Sequence, residues 1–532
     1  MAASILDVAI VGGGVSGIWS GWRLTDPKAG PARRKDVAVF ELSDRIGGRL
    51  LSVELPGQPG VACELGGMRY MSTQPLVKGL VEDILKLPTI AAPVAEPQNI
   101  AHLRGRMLSQ GELTYDPATI PYDLTADERK RSGSLLSDAI AKIAPTTVNL
   151  TGDALRKAVR DVVYDGRLLW QQGFWNVVAR EMSGEAYRYA QALGGYDTTQ
   201  LNWNAADTIV LNSDFAKGVT YHRVKPGYEQ VPIRLAGQFV KNGGKVLLQH
   251  RVSSVETGRL PDGTTGVVLV VDDLKARQTT TVYARSAILA LPRRSIELLE
   301  AKGAVLGDDT FRALLGSVTP IPLFKAFVAY HEPWWAALEV VPGQPIIDGR
   351  SVTDLPLRQV YYWSTVLKKR SMLLATYDDT DDVGFWQGLA VDPILYGVET
   401  GHLPDAARDA IEAAAGDTDE RWKTWKAPAA MVAEIHRQLQ IMHGVTDAPQ
   451  PYAAIFHDWR GDPFGGGVNF WNIGVKSWEV MAKMVKPVAA APVHVVGEAY
   501  SDAQGWVEGA LRTAELVLTG QYGLPVVPPA GA

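Results

Sequence analysis

Near the N-terminus, hydrophobic positions change within a few residues from a continuous run to a helical spacing. The run DVAIVGGG, residues 7–14, predicts a buried strand that ends in glycines, and VSGIWSGWRL, residues 15–24, predicts a helix. The apolar segment DVAVFEL, residues 36–42, predicts a second strand that ends in an acid. Two strands joined by a helix form a β-α-β unit, which requires a parallel sheet. The pattern therefore predicts an α/β fold at the start of the chain.

The turn between the first strand and the helix carries Gly12, Gly14 and Gly17 at the spacing G-x-G-x-x-G. The first glycine permits a tight turn, the second lets the backbone approach a pyrophosphate, and the third lets the helix pack on the strand. The helix N-terminus then offers free N–H groups to the anion. Glu41, at the end of the second strand, suits ribose hydroxyls and disfavours NADP, whose 2′-phosphate it would repel. These features predict a site for NAD or FAD.

Beyond this unit the hydrophobic spacing changes, which indicates several domains. Helical spacing dominates residues 76–224, and we expect this segment to be a largely helical insertion. Strand-like runs return in residues 225–310 and again, with a closing helix, in residues 456–525. Together with residues 1–75, these two segments are expected to form one discontinuous, Rossmann-like nucleotide-binding domain. Residues 311–455 alternate strand and helix patterns and are expected to form an α+β substrate-binding domain.

Composition narrows the classes of function. The chain has 532 residues, too many for one hydrophobic core, and its formal net charge of -5 disfavours a nucleic-acid partner. Cys63 is the only cysteine, which excludes intramolecular disulfides and cysteine-based zinc clusters. The histidines show no metal-ligand spacing such as H-E-x-x-H, and no metal is expected. Since we find neither a signal peptide nor an apolar stretch of about 18–20 residues, we expect a cytoplasmic protein without membrane association.

Further motifs distinguish between NAD and FAD as the bound dinucleotide. The stretch ELSDRIGGRL, residues 41–50, resembles the E-x-x-x-R-x-G-G-R signature of FAD-dependent amine oxidases. Other matching segments follow in the family's order: ELGGMRY (64–70), VKPGYEQVPIRLA (224–236), AILALP (287–292), PLFKAFVAY (322–330) and VVGEAYSDAQGWVEGALRTAE (495–515). The chain thus resembles the flavin monoamine oxidase family, and within it the L-amino acid oxidases and amino acid 2-monooxygenases. The resemblance implies a GR2-type FAD domain.

The resemblance also implies which residues hold FAD. Arg45 would neutralise pyrophosphate charge, Glu498 would contact the ribityl or pyrophosphate region, and the helix after Trp506 would point its N-terminus at the flavin. Members that attach flavin covalently use a cysteine near the C-terminal segment, which this chain lacks, so FAD is expected to be non-covalent. The expected cofactor-binding residues are Gly12, Gly14, Val15, Ser16, Gly17, Glu41, Leu42, Arg45, Gly48, Arg49, Gly66, Gly67, Met68, Arg69, Val252, Gly497, Glu498, Gly505, Trp506 and Val507.

The same resemblance implies a set of catalytic residues. Arg69 matches the arginine with which amino acid oxidases bind the substrate carboxylate, and its guanidinium suits bidentate binding. Tyr361 or Tyr362 would give the carboxylate a second hydrogen bond, but neighbouring strand residues face opposite ways, and the choice stays open. Lys325 matches the lysine that holds a water near flavin N5, and Trp506 would lie against the isoalloxazine. A lysine in an apolar strand is costly unless paired, which independently favours a role in a site.

The implied reaction is the oxidative deamination of L-amino acids to 2-oxo acids, with release of ammonia and hydrogen peroxide. A hydride would pass from Cα to flavin N5, and O2 would reoxidise the flavin. An L-amino acid 2-monooxygenase, which forms an amide and CO2, shares the scaffold and stays an alternative. Arg69 argues against an amine or polyamine oxidase, and a protein that only binds FAD would need neither Arg69 nor Lys325. A homodimer is common in the family, but the sequence shows no dimer surface.

The pocket for the substrate side chain is the least defined part of the prediction. Five aromatic residues are candidate walls, although such residues are more often core: Trp170, Phe174, Trp175, Trp203 and Trp471. Several of them together would favour bulky aromatic or aliphatic substrates. Asp197, Asp207 or Asp214 would instead suit a lysine or arginine side chain. The sequence does not decide between these alternatives.

Overall fold

The fold is mixed α/β, as the hydrophobic pattern predicts, and it contains two large seven-stranded sheets. The computed structural model describes residues 4–29, 35–197, 202–213, 215, 218–390 and 420–527. None of the helices within these residues is long and apolar enough to cross a membrane. The division into three domains stays a prediction, but each large sheet has its own hydrophobic core.

The first sheet grows from the N-terminal β-α-β unit. The buried strand Ile5–Val11 leads into the helix Val15–Thr25 and then the parallel strand Val37–Phe40. On its other side, the strand Ile5–Val11 pairs in parallel with Gln278–Leu289. Because the first strand is enclosed on both sides, its sequence is a continuous apolar run. The strand order is Lys245–Leu247, Val37–Phe40, Ile5–Val11, Gln278–Leu289, Thr265–Asp273 and His250–Arg259, with Val493–Val495 beside Gln278–Leu289.

Helices cover one face of the first sheet. Val15–Thr25 packs between Gln230–Lys241 and Val507–Tyr522, and the three helices share one apolar cluster with the sheet. Ile10 faces this cluster, whereas its neighbour Val11 faces the cluster on the opposite face. Successive strand residues point to opposite faces, so an all-apolar strand fills both cores at once. Three helices that are far apart in sequence, Val15–Thr25, Gln230–Lys241 and Val507–Tyr522, thus form one layer on the sheet.

The second sheet is mostly antiparallel, and the helix Ala429–His443 packs on one of its faces. Its strands, in order, are Ala453–Asp458, Leu323–Tyr330, Ser371–Asp379, Gln359–Ser364, Arg350–Thr353, Ile100–Leu103 and Arg106–Ser109. The last two strands come from the segment expected to be largely helical. Ile100–Leu103 is four residues long and fully buried, and so short an apolar run carries no helical or strand periodicity of its own.

The segment between the two sheets otherwise consists of short helices. Those described are Pro75–Lys78, Gly79–Ile84, Glu112–Tyr115, Ala126–Lys130, Leu135–Ile143, Gly152–Ala158, Phe174–Val178, Gly184–Gly194 and Ala205–Ser213. Tyr221–Val224 pairs with Tyr70–Met71 and Thr89–Ala91 in a small antiparallel sheet. Further helices in the second half of the chain are Arg293–Glu297, Gly303–Leu306, Asp309–Leu315, Asp381–Gln387 and Ser477–Met484. The small sheet places the stretch around residue 69 beside the second large sheet.

Candidate active site

A cavity of about 650 Å³ lies between the two large sheets. In the first sheet, its walls come from Val11 and Phe40, the last residues of their parallel strands. Ligands of parallel α/β sheets bind at these carboxyl ends. In the second sheet, its walls come from the facing strands Leu323–Tyr330 and Ser371–Asp379. The size and position of this cavity are typical of a site for small molecules.

The glycine turn has the geometry that a pyrophosphate site requires. Gly12 has a φ of +105°, and a Cβ there would lie 2.6 Å from the carbonyl oxygen of Ala290. A Cβ on Gly17 would lie 2.0 Å from the carbonyl oxygen of Gly12, so both positions require glycine. The following helix begins after Gly14 without a side-chain cap, which leaves its first N–H groups directed at the cavity.

Glu41 borders the same end of the cavity. Its Oε2 accepts a hydrogen bond from the N–H of Gly13 at 2.6 Å, and its Oε1 accepts from the N–H and the hydroxyl of Ser43, both at 2.8 Å. Both carboxylate oxygens are therefore held in place. A fixed acid beside an open helix N-terminus fits the ribose and pyrophosphate of a dinucleotide.

All of the expected cofactor residues line the cavity except Gly17 and Arg45. Gly17 serves the close approach of helix and strand. The Arg45 guanidinium donates to the carbonyl oxygens of Gly48 and Leu50 and forms an ion pair with Glu229 at 3.2 Å. It therefore braces the glycine loop, and its expected contact with pyrophosphate stays a prediction.

A second helix N-terminus faces the cavity from the C-terminal segment. Val507–Tyr522 begins after Trp506 with no side-chain cap, and both Trp506 and Val507 line the cavity. Glu498 lies beside them, where its Oε1 accepts from Arg49 at 2.6 Å and its Oε2 accepts from the N–H of Gly505 at 3.0 Å. An open helix N-terminus can stabilise negative charge on a bound ring system.

Lys325 is buried in the strand Leu323–Tyr330 and lines the cavity. Its Nζ donates to the carbonyl oxygens of Glu64 and Gly66, and it lies 4.4 Å from the centre of the Tyr377 ring. Burial lowers the pKa of Lys325 to about 7, with Arg69 acting in the same direction and Glu64 against it. Lys325 therefore joins the ELGG segment to the second sheet and can hold or release a proton near neutral pH.

Glu64 is the buried acid behind Lys325. Its carboxylate accepts from the Ser52 hydroxyl and from the N–H of Tyr228, each at 2.7 Å. Burial raises the pKa of Glu64 to about 8, although these hydrogen bonds and the positive charge of Lys325 oppose the shift. The pair thus places an acid and a base with pKa values near neutrality beside the cavity.

Arg69 lines the cavity and is 8% exposed. Its guanidinium carbon lies 4.4 Å from the ring centre of Tyr221 and 5.5 Å from that of Tyr361, and Tyr196 and Tyr377 complete its surroundings. In the described part of the chain, no aspartate or glutamate lies within ion-pair distance of this guanidinium. A buried arginine among tyrosines is therefore directed at a cavity instead of at a protein carboxylate.

Tyr361 and Tyr362 point in opposite directions, as their adjacent places in a strand require. Side-chain hydrogen bonds link Tyr361 to Arg69 and Tyr196, and the guanidinium of Arg69 lowers the pKa of Tyr361 against the effect of burial. The Tyr362 hydroxyl instead contacts Ser351 Oγ at 2.7 Å and His443 Nε2 at 3.0 Å within the core behind the sheet. Of the two, only Tyr361 lies on the side of Arg69.

Among the cavity residues that the sequence analysis did not identify are Tyr196, Tyr377 and Asp379. Tyr377 and Asp379 lie two residues apart at the end of the strand Ser371–Asp379, and so share one face of it. Tyr361 contacts Arg69 from behind, whereas Tyr196 and Tyr377 form the cavity surface. The sequence signal that could have identified Tyr377 and Asp379 is the change from the apolar run MLLA to the polar run TYDD within one strand.

None of the five candidate aromatic walls lines this cavity, which corrects that expectation. Phe174 and Trp175 belong to the core of the helical segment, and Trp170 packs edge-on against Trp478. Trp203 and Trp471 line a separate cavity of about 60 Å³ beside the larger one. Phe174 and Trp175 therefore stabilise the packing of the helical segment and do not form the wall of the larger cavity.

The three candidate acids also lie elsewhere. Asp197 pairs with the Arg358 guanidinium at 3.0 Å, and Asp207 accepts a hydrogen bond from the Ser477 hydroxyl at 2.7 Å beside the smaller cavity. Asp214 lies outside the described residues. Neither Asp197 nor Asp207 faces the space next to Arg69.

Comparison with known proteins agrees with the resemblance found in the sequence. A family model described as flavin containing amine oxidoreductase matches residues 15–400. Aplysianin-A from Aplysia kurodai is 26% identical over 536 residues, covering 96% of this chain and 89% of that protein. Achacin from Lissachatina fulica is 24% identical, covering 96% and 92%. An L-amino-acid oxidase from Echis ocellatus is 23% identical, covering 73% of this chain and 70% of that protein.

Solved structures of amine oxidases have a similar fold. A putrescine oxidase bound to putrescine aligns with a TM-score of 0.64 at 17% identity, over 96% of this chain and 98% of that one. Cyclohexylamine oxidase from Brevibacterium oxydans IH-35A aligns with a TM-score of 0.62 at 18% identity, over 98% and 99%. The predicted fold class is confirmed.

Proposed function

Since the chain belongs to the family of flavin-containing amine oxidoreductases, we propose that it catalyses the oxidative deamination of L-amino acids. The products would be a 2-oxo acid, ammonia and hydrogen peroxide, with O2 as the electron acceptor. The single observation that supports an amino acid over a simple amine is Arg69, which is buried, lines the cavity and faces tyrosines. A guanidinium in that setting suits the substrate carboxylate.

Non-covalent FAD is the flavin that this proposal requires. Gly12, Gly14 and Glu41 line what we call the nucleotide end of the cavity, and the helix N-terminus after Gly14 would hold the pyrophosphate. The flavin ring would lie toward Trp506 at the second helix N-terminus. When bound, the flavin supplies the acceptor for the two electrons of the oxidation.

The protein's own residues would bind and orient the substrate. Arg69, Lys325 and Tyr377 line what we call the substrate end of the cavity. Arg69 would bind the α-carboxylate in a bidentate manner, and the hydroxyl of Tyr377 would donate a further hydrogen bond. Contacts to the carboxylate fix one substituent of Cα, and the L-enantiomer is selected when the amine and the side chain also have fixed places, so that only one enantiomer presents Cα–H to the reacting side of the cavity. Tyr361 would support Arg69 from behind.

Lys325 would take up and release protons at the substrate end of the cavity. Its Nζ is held by two backbone carbonyl oxygens, so its third N–H is directed away from them and can bind a water molecule. Because burial lowers its pKa to about 7, Nζ can take up or release a proton at physiological pH. Leu65, Leu323 and Trp459 also line the cavity, and apolar and aromatic walls of this kind limit the access of bulk water to the reacting atoms.

The test is anaerobic mixing of the purified holoenzyme with single L-amino acids, D-amino acids and amines, followed by the visible flavin absorbance. We expect L-amino acids to bleach the flavin and D-amino acids and amines to leave it oxidised. Readmission of air should then yield peroxide and 2-oxo acid. Amide and CO2 without peroxide would identify the 2-monooxygenase alternative, and bleaching by amines alone would overturn the proposal.

A further inference from the structure

Glu229 is a buried acid that precedes the helix Gln230–Lys241, and two arginines from distant parts of the chain meet at its carboxylate. Its Oε1 accepts from Arg45 at 3.2 Å and from Arg421 at 2.8 Å. Its Oε2 accepts from Arg421 at 2.9 Å and from the N–H of Ser52 at 3.3 Å. A buried carboxylate with both oxygens bound to donors is a rigid point of the structure.

The backbone also fixes the place of Glu229. Its N–H donates to the Ser52 hydroxyl at 3.1 Å. Two residues earlier, Gly227 has a φ of +103°, and a Cβ there would lie 2.7 Å from the Cβ of Ser52. The turn before the helix therefore packs closely against Ser52, and the carboxylate has little freedom to move.

Arg45 connects this carboxylate to the glycine loop at the nucleotide end of the cavity. Its guanidinium donates to the carbonyl oxygen of Leu50 at 2.9 Å and to that of Gly48, which lines the cavity. Gly47, between them, has a φ of +131° and forms a backbone bridge with Gly14 before the first helix. Arg45 thus holds the loop from behind, and the buried acid holds Arg45.

Arg421 connects the same carboxylate to the second sheet. It lies in the short 3-10 helix Glu420–Trp425. The next residue, Trp422, packs in a hydrophobic core with Phe327 and Ile455 of that sheet. The contacts at the acid therefore join the nucleotide loop to the opposite wall of the cavity.

We propose that Glu229 is a positioning residue for flavin binding, which acts through Arg45 to hold the glycine loop in the shape that FAD requires. This inference rests on the proposed function, because it takes the dinucleotide to be non-covalent FAD. A loop that is ordered in advance binds its ligand more tightly, since less conformational freedom is lost on binding. Without Glu229, the Arg45 side chain, which is 21% exposed, could turn toward solvent and leave the loop unsupported.

A merely structural role predicts a different result. Removal of a buried acid beside two arginines lowers stability whatever else the acid does, because the arginines lose their compensating charge. A positioning role also weakens the binding of FAD, and it does so only while Arg45 is present. The affinity for FAD therefore separates the two roles.

The test measures the Kd for FAD by equilibrium dialysis of the holoenzyme and its variants, with bound flavin followed by visible absorbance. Glu229→Met should raise this Kd about tenfold, the factor that corresponds to immobilising one long side chain on binding. Glu229→Asp keeps the charge on a shorter side chain and should recover part of the affinity.

The Arg45→Met variant tests the route through which Glu229 acts. Loss of the donors to Gly48 and Leu50 should raise the Kd for FAD by about tenfold or more. Glu229→Met combined with Arg45→Met should raise it no further, because the acid then has nothing to position. Additive increases would show that Glu229 does not act through Arg45 and would overturn the proposal.

Glu515→Met is the matched control. Glu515 is also buried and accepts two hydrogen bonds from the Arg23 guanidinium, at 3.0 and 3.1 Å. The two residues lie eight positions beyond Val507 and Val15, about 12 Å along each helix from the ends that face the cavity. Glu515→Met should lower the urea midpoint of unfolding, as Glu229→Met does, and leave the Kd for FAD unchanged.

The failures of the two proposals are distinguishable. If Glu229→Met changes the Kd for FAD no more than Glu515→Met does, the positioning role is wrong and the proposed function stands. If the wild-type protein binds no FAD, the proposed function is wrong, because the reaction requires the flavin. Should Glu229→Met not fold, Glu229→Gln, which keeps one acceptor oxygen, enters the same comparison with a smaller expected rise in Kd.

Discussion

The nucleotide end and the substrate end of the cavity are built in different ways. At the nucleotide end, the walls are largely backbone, supplied by short contiguous stretches around Gly12 and Gly48 that lie in contact with each other. At the substrate end, the walls are side chains such as Arg69, Lys325 and Tyr377, each from a different segment. A site built from backbone can be recognised in the sequence by the spacing of its glycines. A site built from side chains corresponds only to isolated residues in distant segments.

The largest effect should come from filling the close approach at the nucleotide end. Gly17→Ala would place a Cβ 2.0 Å from the Gly12 carbonyl oxygen and should cost about 3 kcal/mol with loss of bound flavin. The ratio of flavin to protein absorbance and a urea unfolding curve measure both effects. Gly520→Ala, in a helix with nothing near the added methyl group, is the control and should be neutral or stabilising. Normal flavin content in Gly17→Ala would show that the contact tolerates a side chain.

At the substrate end, the Arg69→Met variant should have the second largest effect. Loss of the guanidinium should lower kcat/KM for L-amino acids by about 10²–10³-fold, mostly through KM, while flavin content stays unchanged. Arg69→Lys should recover little, because a lysine ammonium cannot bind both carboxylate oxygens in a fixed fork. Arg312→Met, at an exposed helical position, controls for the loss of a positive charge. An unchanged KM in Arg69→Met would refute the carboxylate contact.

A pair of tyrosine variants should separate binding from folding at the same end. Tyr377→Phe should raise KM about tenfold and change stability little, because Tyr377 lines the cavity and its hydroxyl is the group proposed to bind the substrate carboxylate. Tyr362→Phe should instead lower the free energy of unfolding by about 1–2 kcal/mol with KM unchanged, because its hydroxyl bonds Ser351 and His443 in the core. Steady-state kinetics and chemical denaturation of both variants measure this contrast, and equal effects on KM would contradict it.

The last expected effect is a pH dependence of stability at Glu64, which no loss of a substrate contact would produce. Burial raises the pKa of Glu64 to about 8, whereas in the unfolded chain the pKa is close to 4.5. At a pH between these two pKa values, Glu64 is protonated in the folded protein and ionised in the unfolded chain. The contribution of Glu64 to the free energy of unfolding therefore falls as the pH rises. Glu64→Gln should lack this fall, and thermal unfolding of both holoenzymes at pH 5 and at pH 8 measures the difference. Parallel stability curves would show that Glu64 is ionised throughout.

Much of the fold follows from local patterns. The strand Ile5–Val11, the helix Val15–Thr25 and the glycine turn between them are found where the apolar run, the helical spacing and the glycines predict them. Arg69 and Lys325 were identified through the resemblance of ELGGMRY and PLFKAFVAY to segments of the amine oxidase family. The strands Ile100–Leu103 and Arg106–Ser109 were not predicted, because runs of four residues carry too little periodicity and their pairing partners lie far away in the chain.

The sequence by itself determined that this protein belongs to the family of flavin-containing amine oxidoreductases, and it predicted a Rossmann-like nucleotide site and an arginine suited to a carboxylate. Only the tertiary structure decided that Tyr361 faces Arg69, that Tyr362 belongs to the core, and that Tyr377 and Asp379 border the cavity. The physical reason is that a phosphate site needs backbone geometry, which neighbouring residues encode together. A substrate pocket needs side chains from several strands, and the pairing of those strands is set by the packing of the whole chain.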